Sequence, residues 1–232
     1  MAKAKPKIRD EGPTLGERLA ATGLLEKIAM TTRSIISRSV AEADEQGRVM
    51  LRVVSCHDCT APKACCTLTV AIYLHEALPI AARLIAEGRD TPELRTALRV
   101  SAEAMENRSR VEHARARRPC VLLDANERCT VYDVRPGACG VALVYSPAEA
   151  CSNLENLRVD AYTGTLQRDL SPTVEEGVRD ELGLPRFDRR YMGVLPRMVL
   201  LALQAWARRD YARFLGQHAP LAAARLAERL DG

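Results

Sequence analysis

All eight cysteines of the 232-residue chain fall in one stretch: Cys56, Cys59, Cys65, Cys66, Cys120, Cys129, Cys139 and Cys151. The 55 residues before it and the 81 after it contain none. Cysteines acting only as small core residues would also occur in the apolar segments on either side. Their confinement points to a thiolate site for a metal or metal cluster at 56–151, with the rest of the chain as its scaffold. A chain this long buries a core without disulfide staples. The N-terminal MAKAKPKIRDEGP is basic but lacks the apolar centre of a secretory signal. No run reaches the ~20 apolar residues needed to cross a bilayer. The expectation is therefore cytoplasmic, where thiols stay reduced and clustered cysteines mean metal or redox chemistry more often than disulfides.

Composition adds a fold class. Aromatic residues make up only 4% and hydrophobic residues 47%, with Ala, Arg and Leu abundant, which favours helix. The expectation is a mainly α chain with a few short β-strands or a hairpin around the cysteine cluster (α+β, small sheet). Residues 1–13 read as a mobile basic tail and 14–232 as a single mainly helical domain. The net charge of +4 counts thiols as neutral; eight thiolates on two divalent ions would bring it near zero. Basicity is thus no nucleic-acid signal, and the arginines after Met105 lack the interleaved aromatics that stack on bases.

In chain order, a helix is expected from about Thr14 to Met30 and another capped by Thr31 or Thr32, stopping before Gly47. Val49, Leu51 and Val53 alternate like a short strand. Cys56-His57-Asp58-Cys59 is a C-x-x-C turn, whose two-residue gap lets two sulfurs converge on one ion. The vicinal pair Cys65-Cys66 follows. Adjacent side chains usually diverge, so one member would serve a second ion or another corner of a cluster, or simply pack. Leu68, Val70 and Ile72 alternate as a strand, and a helix runs from about His75 to Glu87 with Gly88 as its stop. His75-Glu76-Ala77-Leu78-Pro79 begins like the zinc-protease H-E-x-x-H helix, but Pro79 stands where the second histidine is needed. Glu76 then reads as a first-turn carboxylate favoured by the helix dipole.

Thr91 and Pro92 open the next helix as cap and first residue, with Leu94, Leu98 and Met105 on its buried face. From Pro119, Cys120-Val-Leu-Leu, Asp-Ala-Asn-Glu and Arg128-Cys129-Thr-Val read as strand, tight turn and strand, holding Cys120 and Cys129 at the open end. Arg135 is the residue expected to stand beside the thiolates, where a guanidinium offsets their charge, with Tyr132 next to it. Pro147 precedes a helical turn presenting Cys151. Downstream, helices are expected over Pro172–Leu182, from Leu195-Pro196 to a stop at Gly216, and from Pro220 onward.

The order C-x-x-C, C-C, C, then Cys129-Thr-Val-Tyr132-Asp-Val-Arg135-Pro136-Gly-Ala-Cys139 and a final cysteine resembles the YkgJ-type cysteine-cluster family. The resemblance covers Cys56 to Cys151 and implies chelation of zinc or iron. This chain departs from that pattern in having five residues before the vicinal pair, and Gly140 where the family tends to carry arginine. Eight thiolates suit two four-cysteine zinc sites or one 4Fe–4S cluster with ligands to spare; iron–sulfur is the favoured cofactor, zinc the second. Three functions are compatible: a cluster protein in redox, sensing or cluster-dependent modification; a structural zinc domain serving as a protein-interaction module; or a cluster-dependent modification enzyme. No Walker lysine, glycine-rich nucleotide loop or nucleophile elbow supports the enzyme directly.

Overall fold

The computed structural model describes residues 12–56, 64–147, 150, 178–183 and 191–230. The chain is mainly helical with one two-stranded antiparallel sheet, as its composition suggests. Helix α1 (Leu15–Thr22) starts at a capping box: Thr14 Oγ1 accepts from Glu17 N and Glu17 returns the bond to Thr14 N. Gly23, at φ 63°, ends it and turns directly into α2 (Leu24–Val49). The expected break at Thr31–Thr32 is absent. Thr31 bonds its hydroxyl back to Lys27 O inside the helix, so no amide is left for it to cap.

Gly47 does not stop α2 either. Its missing side chain lets Arg52 return against the helix: a Cβ there would lie 2.7 Å from Arg52 O, which accepts no such neighbour. Arg52 N bonds Gly47 O at 2.7 Å. The expected strand at Val49–Val53 is instead the frayed end of α2 and a turn with Leu51 at φ 55°. Only Val54 beyond it is buried. Alternation over so few residues carries no information about a pairing partner.

Strand β1 (Ala71–Tyr73) pairs with β2 (Met192–Val194), Ile72 opposite Gly193. β1 runs straight into α3 (Leu74–Ala86), which ends as expected with Gly88 at φ 65°. Helix α4 (Pro92–Glu106) is capped by Thr91, whose hydroxyl accepts from Leu94 N. A short α5 (Arg110–Arg115) follows. After β2 come α7 (Leu195–Ala205) and α8 (Tyr211–Leu230), preceded in the chain by the four-residue α6 (Gly137–Gly140).

The expected long helix through Phe214 is therefore two, and α8 runs through both Gly216 and Pro220. The break falls at Trp206–Asp210 because α1 docks there. Leu15 N and Gly16 N donate to Arg208 O and Trp206 O at 3.1 and 3.0 Å, and Gly16 admits the Trp206 ring. Amides left open at the start of one helix thus satisfy carbonyls at the end of another. One hydrophobic cluster runs from Leu15 in α1 through α3 and α7 to Ala222 in α8. The helical turn at 178–182 adds Val178 and Leu182 to it; the rest of the helix expected over 172–182 lies outside the described residues. Among the described residues no helix is long and apolar enough to cross a membrane.

Candidate metal centre

Three chain segments converge on one edge of this core. The first is a 3-10 turn, Ala64–Thr67, carrying the vicinal cysteines. The second is the Cys120–Cys129 loop. It contains a single bridge, Leu123 to Cys129, and no full hairpin. Asp124 shapes it by accepting the amides of Asn126 and Arg128 at 2.8 and 2.9 Å, with Glu127 at φ 59°. Its strands stay short because Thr130 bonds Leu122 O through both amide and hydroxyl. The third is α6, which presents Cys139 after Pro136. Cys120 N donates to Cys66 O at 2.9 Å, joining the first segment to the second. Cys120, Cys129 and Cys139 pack against the main core.

In the tight 3-10 turn the two neighbouring sulfurs act on each other, which raises the Cys65 pKa strongly and lowers that of Cys66. Cys120, Cys129 and Cys139 all oppose ionisation of Cys66 by their own charge. Burial pushes the Cys139 thiol up to about 12, with Cys120, Cys129 and Glu76 adding to it. Burial likewise raises Cys120. Cys65, Cys66, Cys120, Cys129 and Cys139 are thus within electrostatic reach of one another. None is in a disulfide.

Donor chemistry fits a metal: buried thiols whose negative forms repel one another are stabilised by a cation among them. The arrangement is more open than a closed shell. Among the described residues no three His, Cys, Asp or Glu donors are set to hold one ion. Cys59, His57 and Cys151 lie outside the described residues; the turn expected before Cys151 is present as the Ala150 N to Pro147 O bond. Cys56 stands in a separate small cluster with Ala43, Val54 and Leu143, its sulfur accepting from Val144 N at 3.3 Å.

Residues 55–157 match a family whose description reads "CxxCxxCC: Putative zinc- or iron-chelating domain". No curated protein and no solved structure matches the chain. The CxxCxxCC segment accounts for every cysteine of the chain, and metal binding is what it contributes.

Two residues outside the cysteines shape this segment. Glu76 does sit in the first turn of α3, where its Oε2 accepts Tyr73 N at 2.9 Å. Sequence reasoning stopped there. Its buried Oε1 also accepts Gly137 N at 2.9 Å, tying α3 to α6 beside Cys139. A buried carboxylate reaching 61 positions along the chain leaves no local signature. Arg135 stacks over the Tyr132 ring, 4.0 Å from its centroid. Both line a cavity of about 200 Å³ shared with Glu76 and α2.

Gly140 explains itself once α2 is in place. A Cβ there would run into the Ile36 side chain of α2 well inside van der Waals contact. Larger residues at this position are excluded by the packing of α2 on α6. Gly140→Ala is expected to lower stability by about 1–3 kcal/mol, and Ile36→Ala, which removes every clashing atom, to cost less in that variant than in wild type. Urea melts of the single and double variants check this; equal midpoints for wild type and Gly140→Ala would contradict the packing.

His75, next to Glu76, is buried and stacked on Tyr73 at 5.6 Å. Burial lowers its pKa from 6.5 to about 4. Unfolded, it takes up a proton near pH 6.5; folded, it does not until about pH 4. The unfolded chain therefore binds more protons in that window, and stability falls as the pH is lowered. The contribution is complete above pH 6.5 and lost on the way down to about 4, amounting to roughly 3 kcal/mol. His75→Gln is expected to flatten this slope in denaturant melts between those pH values.

Proposed function

We propose that the chain is a metal-cluster protein whose CxxCxxCC segment holds iron–sulfur, a 4Fe–4S cluster, on Cys66, Cys120, Cys129 and Cys139, with Cys65 adjoining. Cys59 and Cys151 complete the donor set from outside the described residues, and Cys56 serves from its separate cluster. The observation that carries this reading is the meeting of cysteine-bearing segments more than 50 positions apart in sequence, joined by the Cys120 N to Cys66 O bond, with Cys120, Cys129 and Cys139 packed on one core. Four sulfurs around a cluster need not close on a single centre, whereas zinc takes its four ligands at about 2.3 Å each.

Bound iron–sulfur supplies one-electron chemistry, and redox, sensing or cluster-dependent modification are the roles that chemistry serves. The chain's residues do the holding. The Cys120–Cys129 loop and α6 bound the site on two sides, Glu76 ties α6 to α3, and Arg135 rests on the Tyr132 ring. A second reading, zinc as a structural cross-link beneath a protein-interaction surface, draws on the same donors.

Anaerobic purification with metal and sulfide analysis and a visible spectrum tests both. A brown protein carrying iron and acid-labile sulfide is expected. Zinc in a colourless protein would replace the iron–sulfur reading by the second. Less than one equivalent of any transition metal after reconstitution would remove chelation itself.

A further inference from the structure

A second constellation lies away from the cysteines, between α4, α7 and α8. A cavity of about 500 Å³ is walled there by Arg95, Arg197, Arg208 and Arg225, with Phe214 and Leu221 on its apolar side. No acidic side chain is among the described residues lining it. The carboxylates that hold these arginines lie behind the wall. Asp90 takes Arg95 Nε and Nη2 at 2.7 and 2.8 Å. Glu106 takes Arg197 Nε and Nη2 at 2.8 and 2.7 Å and Arg225 Nη1 at 3.2 Å. Arg208 reaches Asp210 at 3.6 Å and lies over the Phe214 ring at 4.4 Å.

Two features separate this wall from ordinary ion pairing. Four guanidiniums stand on one wall, while the carboxylates that hold them, Asp90, Glu106 and Asp210, and Glu103, which acts on Arg197 by charge alone, are absent from its lining. The forked bonds also leave N–H groups in hand: Nη1 of Arg95 and Arg197 and the Nε–Nη2 edge of Arg225 make no hydrogen bond to the described residues. Arg95 and Arg197 are fixed from behind, so little conformational freedom remains to be lost when an anion arrives.

We infer that this cavity binds a small phosphate monoester. Guanidiniums arriving from three helices and the α7–α8 linker suit a tetrahedral dianion, which offers oxygens in several directions, better than a planar carboxylate. Phe214 and Leu221, the latter 59% exposed despite being apolar, cover the organic part of the ester. The inference does not rest on the metal reading, because no cysteine-bearing segment lines the cavity.

Calorimetric titration of the full chain, as purified with its metal, with phenyl phosphate, inorganic phosphate and benzoate at 0.15 M salt tests it. One-to-one binding of phenyl phosphate is expected, at least tenfold tighter than of either comparator, with a matching rise in Tm. Arg225→Gln and Arg208→Gln, both changes at half-exposed heads, should each weaken it at least tenfold without altering Tm in the absence of ligand. Arg197 is left intact, since its loss would strand Glu106. Absence of heat and of thermal stabilisation at millimolar phenyl phosphate would overturn the inference. So would affinity that survives both substitutions, or inorganic phosphate binding as tightly as the ester.

Discussion

Stripping the metal with a chelator under reducing conditions is expected to lower the melting temperature by roughly 6–12 °C. In thiolate sites the ligation energy is folding energy, on the order of 10 kcal/mol for a structural ion. Even a third of that expressed in this chain, where one large hydrophobic cluster already supports the fold, is about 3 kcal/mol. For a protein of this size each kcal/mol moves Tm by about 2–4 °C. Without the cation, the sulfurs of Cys66, Cys120, Cys129 and Cys139 return to mutual repulsion or protonation. Cys139→Ser should reproduce most of the loss and release metal, because α6 would then present a hydroxyl in place of its sulfur. Cys59→Ser should do the same if the C-x-x-C turn contributes its second sulfur. Metal analysis beside calorimetric melts decides the matter; both variants retaining full metal and unchanged Tm would remove these residues from the site.

Glu106→Leu is the second large effect, with a loss of about 3–5 kcal/mol expected. The Glu106 side chain is only 4% exposed and that of Arg197 15%. Their two bonds at 2.7 and 2.8 Å are the charge pair between α4 and α7. Removing the carboxylate leaves the largely buried Arg197 guanidinium without its hydrogen-bonded partner, Glu103 acting on it only by charge, and this costs more than the pair itself contributes. Glu106 also holds the Arg197 pKa up, by hydrogen bond first and by charge after it. Arg197→Met combined with Glu106→Leu should therefore recover most of the stability, since the packed position then holds apolar groups of similar volume. Arg225→Gln, at the half-exposed end of the same network, should change Tm little. Denaturant melts of this set form a double-variant cycle; a Glu106→Leu protein as stable as wild type would show that the buried pair contributes nothing.

Local chemistry was legible wherever it acts over a few residues. The cap at Thr91, the stop at Gly88, the failure of the H-E-x-x-H pattern at Pro79 and the tight turn at Asp124 all depend on neighbours within four positions. Boundaries set by distant packing were not. Gly47 and Gly216 look like stops, yet the one admits Arg52 and the other lies within α8. Trp206 looks like the middle of a helix, yet α1 ends α7 there. The weak strand expected at Val49–Val53 had no partner to make it one, while β1 found its partner more than a hundred residues on.

The candidate site divides along the same line. By itself the sequence determined that thiols are confined to one stretch, that the stretch matches the pattern of a zinc- or iron-chelating domain, and that the scaffold is helical, because spacing and composition are properties of neighbours along the chain. Only the tertiary structure decided which thiols meet. It set Cys65, Cys66, Cys120, Cys129 and Cys139 within reach of one another, placed Cys56 in a separate cluster, and brought Glu76 to α6 and Glu106 to Arg197. Such meetings depend on how helices pack, and packing is chosen by the burial of the whole apolar surface at once, which no local spacing records.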